Sequence, residues 1–383
     1  MSIKNAMNLV SITQAKTLLT LVIEEAFRKN DIPVNCCMHG SPGLGKSAIV
    51  AQMCKEMGER LGKPVELIDI RLSAMEASDV QGIPYTAEVN GTGKKEMFFS
   101  TPEWFPRDPD KYYVLFLDEL LNCGPSVQHA AYRLILDRTI QNGTKLPDSC
   151  AVIAAGNLKE DKTGSKTLMP AAANRFGLHL LIDKNNAAQS FVEYAVNAGI
   201  HRHIIGFMLW KKASIYDMGE GEVAFATPRT WEFVDKHLKN EKLSENPDLL
   251  RIAISGAIGS AIATQFFSYL EVGARLPNWS DVRSGKLVYK FDNDCDDGFK
   301  YAVGTGLAME LLDAMKNDKD SVKNPTKEVG RLCEIAKQLP TEILTVMFKT
   351  MQVDKVTLLK HGNYPELKAQ WEKVAPMVRG RGR

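Results

Sequence analysis

The chain lacks a strong charge of either sign. Its 383 residues carry 48 lysines and arginines against 46 aspartates and glutamates, a formal net charge of +2. A global basic field of the kind that gathers nucleic acid is therefore absent. The N-terminus shows no basic-then-apolar pattern, so a leader is not expected. Cysteine is sparse and odd in number: the seven are scattered. That argues for free thiols in a reducing, cytoplasmic compartment rather than a disulfide framework. Cys36 and Cys37 are adjacent in one apolar segment, and no Cys/His spacing matches a zinc motif. No internal repeat is evident. One apolar run, Ile252 to Val272, is long enough to span a bilayer. It contains Ser255, Ser260, Thr264, Gln265, Ser268 and Glu271, with glycines at 256 and 259. Polar groups within a span are costly in lipid. The run is expected to be a buried helix within Leu249–Val272, with no membrane partner.

Two further patterns exclude themselves. Asp292 to Gly298 resembles the start of a calcium loop, which requires glycine at position six and glutamate at twelve. Asp297 and Val303 stand there instead, so a solvated acidic loop is expected. The tail Arg379-Gly380-Arg381-Gly382-Arg383 reads as a soluble terminus rather than a nucleic-acid contact.

What is present is more informative. Gly40-Ser41-Pro42-Gly43-Leu44-Gly45-Lys46-Ser47 spells G-x-x-x-x-G-K-S, a phosphate-cradling loop. A short buried-strand pattern, Val34 to Met38, precedes it, and a helical pattern from Ser47 to Arg60 comes after it. Glycines let the backbone curl so that several N–H groups point at one phosphate. The helix N-terminus adds a favourable dipole. The loop from Gly40 through Ala48 is the candidate nucleotide cradle. Lys46 is placed to reach the β- and γ-phosphates, and Ser47 to hold Mg²⁺.

A second apolar run, Tyr113 to Leu117, ends in Asp118-Glu119. Its length fits a strand buried on both faces of a parallel sheet. Acids at its C-terminal end belong in the crevice where such sheets bind ligands. Asp118 would support Mg²⁺, and Glu119 would orient or deprotonate water. A third strand, Cys150 to Ala155, ends at Gly156-Asn157, where the amide could touch phosphate and water. By itself Gly-Asn is an ordinary turn pair. Tyr85–Val89 and Lys95–Phe99 flank Asn90-Gly91-Thr92-Gly93, a hairpin signal. Strands and helices alternate from Val34 to about Ile182, and the pattern is helical from Ala187 onward.

Together these motifs resemble the AAA+ ATPases, and more closely the MoxR group with its dynein-related relatives. The resemblance runs on in order. Met169 to Phe176 is similar to the segment that carries the family's arginine finger, which implies that role for Arg175. Ala226-Thr227-Pro228-Arg229-Thr230 resembles the sensor-two segment, with Arg229 its arginine. Asn157 matches sensor one. Leu72-Ser73 through Pro84, then Pro102-Glu103-Trp104, resemble the insert that marks this branch, which faces the pore or a partner. Gly256 to Ala261 resembles a lid helix, and Leu339-Pro340-Thr341-Glu342 the C-terminal part. The pre-sensor hairpin is reduced to Thr139–Leu146. A family asparagine after the acid pair is displaced, Leu121 preceding Asn122.

The resemblance implies an α/β fold: a P-loop AAA+ core with a parallel sheet over 1–186, bearing a hairpin insert near 85–100. An α-helical lid over 187–275 and a helical C-terminal extension over 276–383 would come next. It implies ATP and Mg²⁺ as cofactors and a homohexameric ring that remodels a protein client. It also implies a partner with a von Willebrand A-type domain. Two other classes remain open. A helicase- or loader-type nucleic-acid motor would need basic side chains along the pore, for which Lys94 and Lys95 are the obvious candidates. A nucleotide-gated scaffold would have no use for Glu119 and Arg175.

Overall fold

The protein is seen in a computed structural model that describes residues 9–89, 93–158, 161, 168, 170–219, 223–317, 327–351 and 365–378. Met169, the turn residues 90–92 and the arginine tail lie outside the described residues. The chain divides into two compact units, Met1–Asn186 and Ala187–Arg383.

The first unit opens with β1 (Leu9–Val10) and α1 (Ile12–Lys29). Ser11 and Gln14 exchange side-chain and backbone hydrogen bonds at the start of α1, a capping box. β2 (Cys36–His39) leads through the glycine-rich loop into α2 (Lys46–Leu61). β3 (Val65–Arg71), a single 3₁₀ turn at Leu72–Ala74 and α3 (Ala77–Gln81) come next. β4 (Pro84–Glu88) and β5 (Lys95–Phe99) pair antiparallel as the expected hairpin. The unit closes with β6 (Tyr112–Asp118), α4 (Pro125–Asp137), β7 (Cys150–Gly156), α5 (Pro170–Ala173) and β8 (Leu178–Ile182).

Six strands form one sheet in the order β1-β8-β2-β7-β6-β3, and every neighbouring pair is parallel. A parallel sheet must be covered on both faces. β7 is accordingly buried at every position, and β6 at its five central ones. Cys37, Leu115, Leu117, Val152 and Ala154 pack with Val127, Ala130, Ala131 and Leu134 of α4. Strand alternation places those sheet residues on one face. The reduced hairpin at Thr139–Leu146 survives as one antiparallel bridge, Thr139 to Lys145. Because β2, β6 and β7 are parallel neighbours, their C-terminal ends, and the loops after them, gather at one edge.

The second unit is helical: α6 (Ala187–Asn197), α7 (Arg202–Trp210), α8 (Pro228–Leu238), α9 (Glu241–Ser244), α10 (Pro247–Ile258) and α11 (Ser260–Gly273). They are succeeded by α12 (Trp279–Ser284), α13 (Asp297–Asn317), α14 (Lys327–Ala336), α15 (Thr341–Met351) and α16 (Pro365–Val378). Phe207, Trp231, Phe266 and Tyr269 build an aromatic core, with Phe207 and Phe266 edge to face at 5.2 Å. A second core joins Val303, Leu307, Leu332, Met347, Phe348 and Trp371.

The apolar run Leu249–Val272 corrects an expectation. It is two helices, not one. Gly259, at φ 82 and ψ 153, ends α10, and α11 begins at the next residue. Nor is the run wholly buried, since Leu249 and Ile252 are exposed. No described helix is long and apolar enough to cross a membrane. In the polar stretch before α13, Asn278 caps α12 by accepting the Ser280 N–H.

Candidate active site

The glycine-rich loop adopts the backbone that its glycines permit. Gly43 and Gly45 lie at φ 76 and 93, the left-handed region that other residues rarely enter. Gly45 is also the residue before α2, and no side chain caps that helix. The N–H groups of its first turn are thus donors suited to an incoming phosphate. Leu44 is buried and anchors the loop, Pro42 is half-buried and Ala48 is exposed. Gly40 continues the sheet by donating its N–H to the Gly156 carbonyl at 3.2 Å.

Lys46 is buried. Its Nζ donates to the carbonyls of Gly40 and Ser41 at 2.7 and 3.0 Å. It also donates to Asn157 Oδ1 at 3.1 Å. The loop lysine and the amide after β7 therefore meet over the loop. Ser47 Oγ donates to Asp118 Oδ2 at 2.8 Å. The other Asp118 oxygen accepts the Glu119 N–H at 2.8 Å. Glu119 has φ 58, unusual for a residue with a side chain. Its carboxylate accepts the Ser73 hydroxyl, from the turn after β3.

The donor set fits a nucleotide with Mg²⁺. A hydroxyl and a carboxylate already meet at Ser47 and Asp118, as an oxygen-seeking cation requires. The uncapped α2 terminus and the Lys46 ammonium suit phosphate oxygens.

Four features around this site were not legible in the sequence. Ser41 Oγ donates to Asp161 Oδ1 at 2.7 Å, and the other Asp161 oxygen accepts the Leu158 N–H. Ser73 holds Glu119. Asp69 on β3 has its carboxyl pushed up, chiefly by burial and then by the charge of Asp118, with Arg71 opposing. The guanidinium of Arg175 lies 5.6 Å from the centre of the Tyr132 ring on α4, a cation–π contact. Only strand register and loop course bring these pairs together, and neither is visible as local spacing.

The structure links Lys46 to Asn157 and Ser47 through Asp118 to Glu119, two sets of contacts joined where Lys46 meets Ser47 in the chain. Arg175 lies just after α5, where its N–H bonds the Ala172 carbonyl. Arg229 belongs to the second unit. It is exposed at the second position of α8, behind the cap formed by Thr227 and Thr230.

Residues 36–184 match the model of the ATPase family associated with various cellular activities, AAA. This segment is an AAA-family ATPase domain. The match runs from the first residue of β2 to just past β8 and so contains the whole parallel core except β1. The chain is thus an ATPase, hydrolysing ATP by phosphoryl transfer to water. Among solved structures, the chain is similar to the Thermotoga maritima RuvB Holliday junction branch migration motor. Identity there is 16%, coverage 74% of this chain and 77% of that one, and the TM-score 0.37. The chain is also similar to the Aeropyrum pernix ORC1 protein in complex with DNA. There identity is 15%, coverage 94% and 84%, and the TM-score 0.39. No curated protein matches the chain.

Proposed function

We propose that this ATPase forms a ring, works in the cytoplasm and uses Mg²⁺-dependent ATP hydrolysis to remodel or activate a protein client, as MoxR-like proteins do. The observation that carries the reading is the meeting of Lys46, Ser47, Asp118, Glu119 and Asn157 at one edge of the sheet. The client, the homohexameric ring and a von Willebrand A-type partner rest on the MoxR-like order of motifs. In the same reading 187–275, which contains Arg229, is the helical lid, and 276–383 is a helical C-terminal extension.

Each group has a role set by its chemistry. The N–H groups from Gly43 to Ser47 and the Lys46 ammonium bind the phosphates. Ser47 and Asp118 would hold Mg²⁺. When bound, ATP would supply the transferable phosphoryl group and Mg²⁺ would neutralise part of its charge. Lys46 leaves its own loop carbonyls to reach the phosphate. Glu119, released from Ser73, takes a proton from the attacking water, while Asn157 orients that water. Catalysis of this kind is mostly positioning and charge stabilisation.

The test is steady-state ATP turnover with and without single-stranded DNA, duplex DNA or RNA at physiological salt, together with sedimentation with and without ATP. A remodelling ATPase should assemble with ATP, and its turnover should change less than about twofold on adding nucleic acid. Stimulation of about tenfold or more would favour the motor reading, because binding energy from the track would then feed the chemical step.

A further inference from the structure

One cluster of metal-ligating side chains is untouched by the ATPase chemistry. Cys37 and His39 lie two residues apart on β2, so strand alternation puts them on the same face. His179 on β8 is the register partner of Cys37 in the parallel ladder. One ligand atom from each of the three lies within 4.8 Å of the others. Cys37 and His39 are 0% and 1% exposed. We propose that Cys37, His39 and His179 form a zinc site that staples β2 to β8 one residue before the phosphate loop.

The geometry is close to a coordination shell. His39 Nε2 and His179 Nδ1 are 3.1 Å apart. Two imidazole nitrogens on one tetrahedral zinc, each about 2.0–2.1 Å from it, sit about 3.3–3.4 Å apart. A sulfur and a nitrogen on the same ion sit about 3.5–3.6 Å apart, and Cys37 Sγ lies within 4.8 Å of both imidazole nitrogens. The outer shell is in place for His179, whereas His39 Nδ1 is buried without a hydrogen-bond partner. His179 Nε2 lies 2.9 Å from the Ala173 carbonyl. Donation to that oxygen leaves Nδ1 with its lone pair toward His39, the tautomer a ligand must have. Two imidazoles and a thiolate select a borderline-soft ion such as zinc over Mg²⁺, which takes oxygen. Three protein ligands leave one position for water.

The exchange balances. Without metal, the His39 Nε2 proton occupies the line between the two rings. Zinc takes its place, that proton moves to His39 Nδ1, and the Cys37 thiol releases its proton to solvent. One divalent ion enters and one proton leaves. The consequence is mechanical. His39 precedes Gly40, and His179 bonds the residue two before Arg175. The ion would fix the strand under the phosphate loop to the segment that carries the arginine.

The experiment uses the full chain, chelator-treated, reduced and free of nucleotide, titrated with cobalt(II) alone. About one equivalent should bind with a thiolate-to-cobalt charge-transfer band and the intense visible bands of a tetrahedral ion, and zinc should bleach both. Cys37→Ser should lose the charge-transfer band, and His179→Gln should weaken zinc binding by more than about 10–100-fold, the range seen for outer-shell changes. Should either variant fail to fold, X-ray absorption on the zinc-loaded wild type decides. It should read one sulfur at about 2.3 Å with two imidazoles at about 2.0–2.1 Å. The proposal is overturned by a folded wild type with no cobalt bands, by bands that persist in Cys37→Ser, or by an absorption spectrum without sulfur. Each of those outcomes leaves the histidines as a hydrogen-bonded pair.

Discussion

At the scale of single residues, the site is a small set of charges and dipoles held by contacts with one another. Lys46 is the clearest case, since it is buried and bonds its own loop and Asn157. Lys46→Ala removes the cation that faces the phosphates. A charge-assisted hydrogen bond is worth about 1.5–3 kcal/mol, so ATP affinity should fall about 10–150-fold. Equilibrium binding of a fluorescent ATP analogue measures this, and near wild-type affinity would remove Lys46 from the cradle. Glu119→Gln keeps the shape and loses the base. ATP affinity should stay within a few-fold while turnover drops about 10²–10⁴-fold. Turnover close to wild type would reduce the acid pair to a strand end that meets a turn. The sequence made the loop and the acid pair readable because each is a local pattern with a fixed chemical purpose. It could not show Ser73 under Glu119, Asp161 under Ser41, or His179 beside His39. Those partners are 46, 120 and 140 residues apart.

At the scale of elements, long apolar runs and their punctuation carried most of the fold. Tyr112–Asp118 and Cys150–Gly156 are strands because uninterrupted apolar runs, aromatic and aliphatic in the first and small and β-branched in the second, fit a doubly covered sheet. Pro125 and Pro228 open helices where a missing N–H costs nothing. The break at Gly259 was not legible, because apolar counting runs straight through a glycine whose backbone has turned. β1 was equally hidden, since two residues give no alternation. Close approach of elements is also invisible in sequence. A Cβ at Gly156 would come within 2.5 Å of Leu121 Cγ. Gly156→Ala should therefore force the loop after β6 away from the end of β7. A destabilisation of about 1–3 kcal/mol is expected from such overpacking, read by denaturant unfolding. Turnover should fall with it, because Asn157 is the next residue. Unchanged stability would mean that Leu121 has room to move.

At the scale of the whole molecule, the AAA domain carries the chemistry, and the ring is the proposal to be tested. In the proposed ring each active site is shared, one copy providing the phosphate loop and the next providing Arg175. Arg175 rests against Tyr132, on the face of the sheet that packs on α4. An arginine that stabilises the charge developing in phosphoryl transfer is worth about 10³–10⁵ in rate. Loss of either group should therefore silence a uniform ring. The most direct measurement mixes Arg175→Ala chains with Lys46→Ala chains, each inactive alone, and tracks ATP turnover while native mass measurement confirms mixed rings. Some interfaces in such rings join an intact loop to an intact arginine, so part of the activity should return. Confirmed mixed rings that hydrolyse no more ATP than either parent would contradict the shared site.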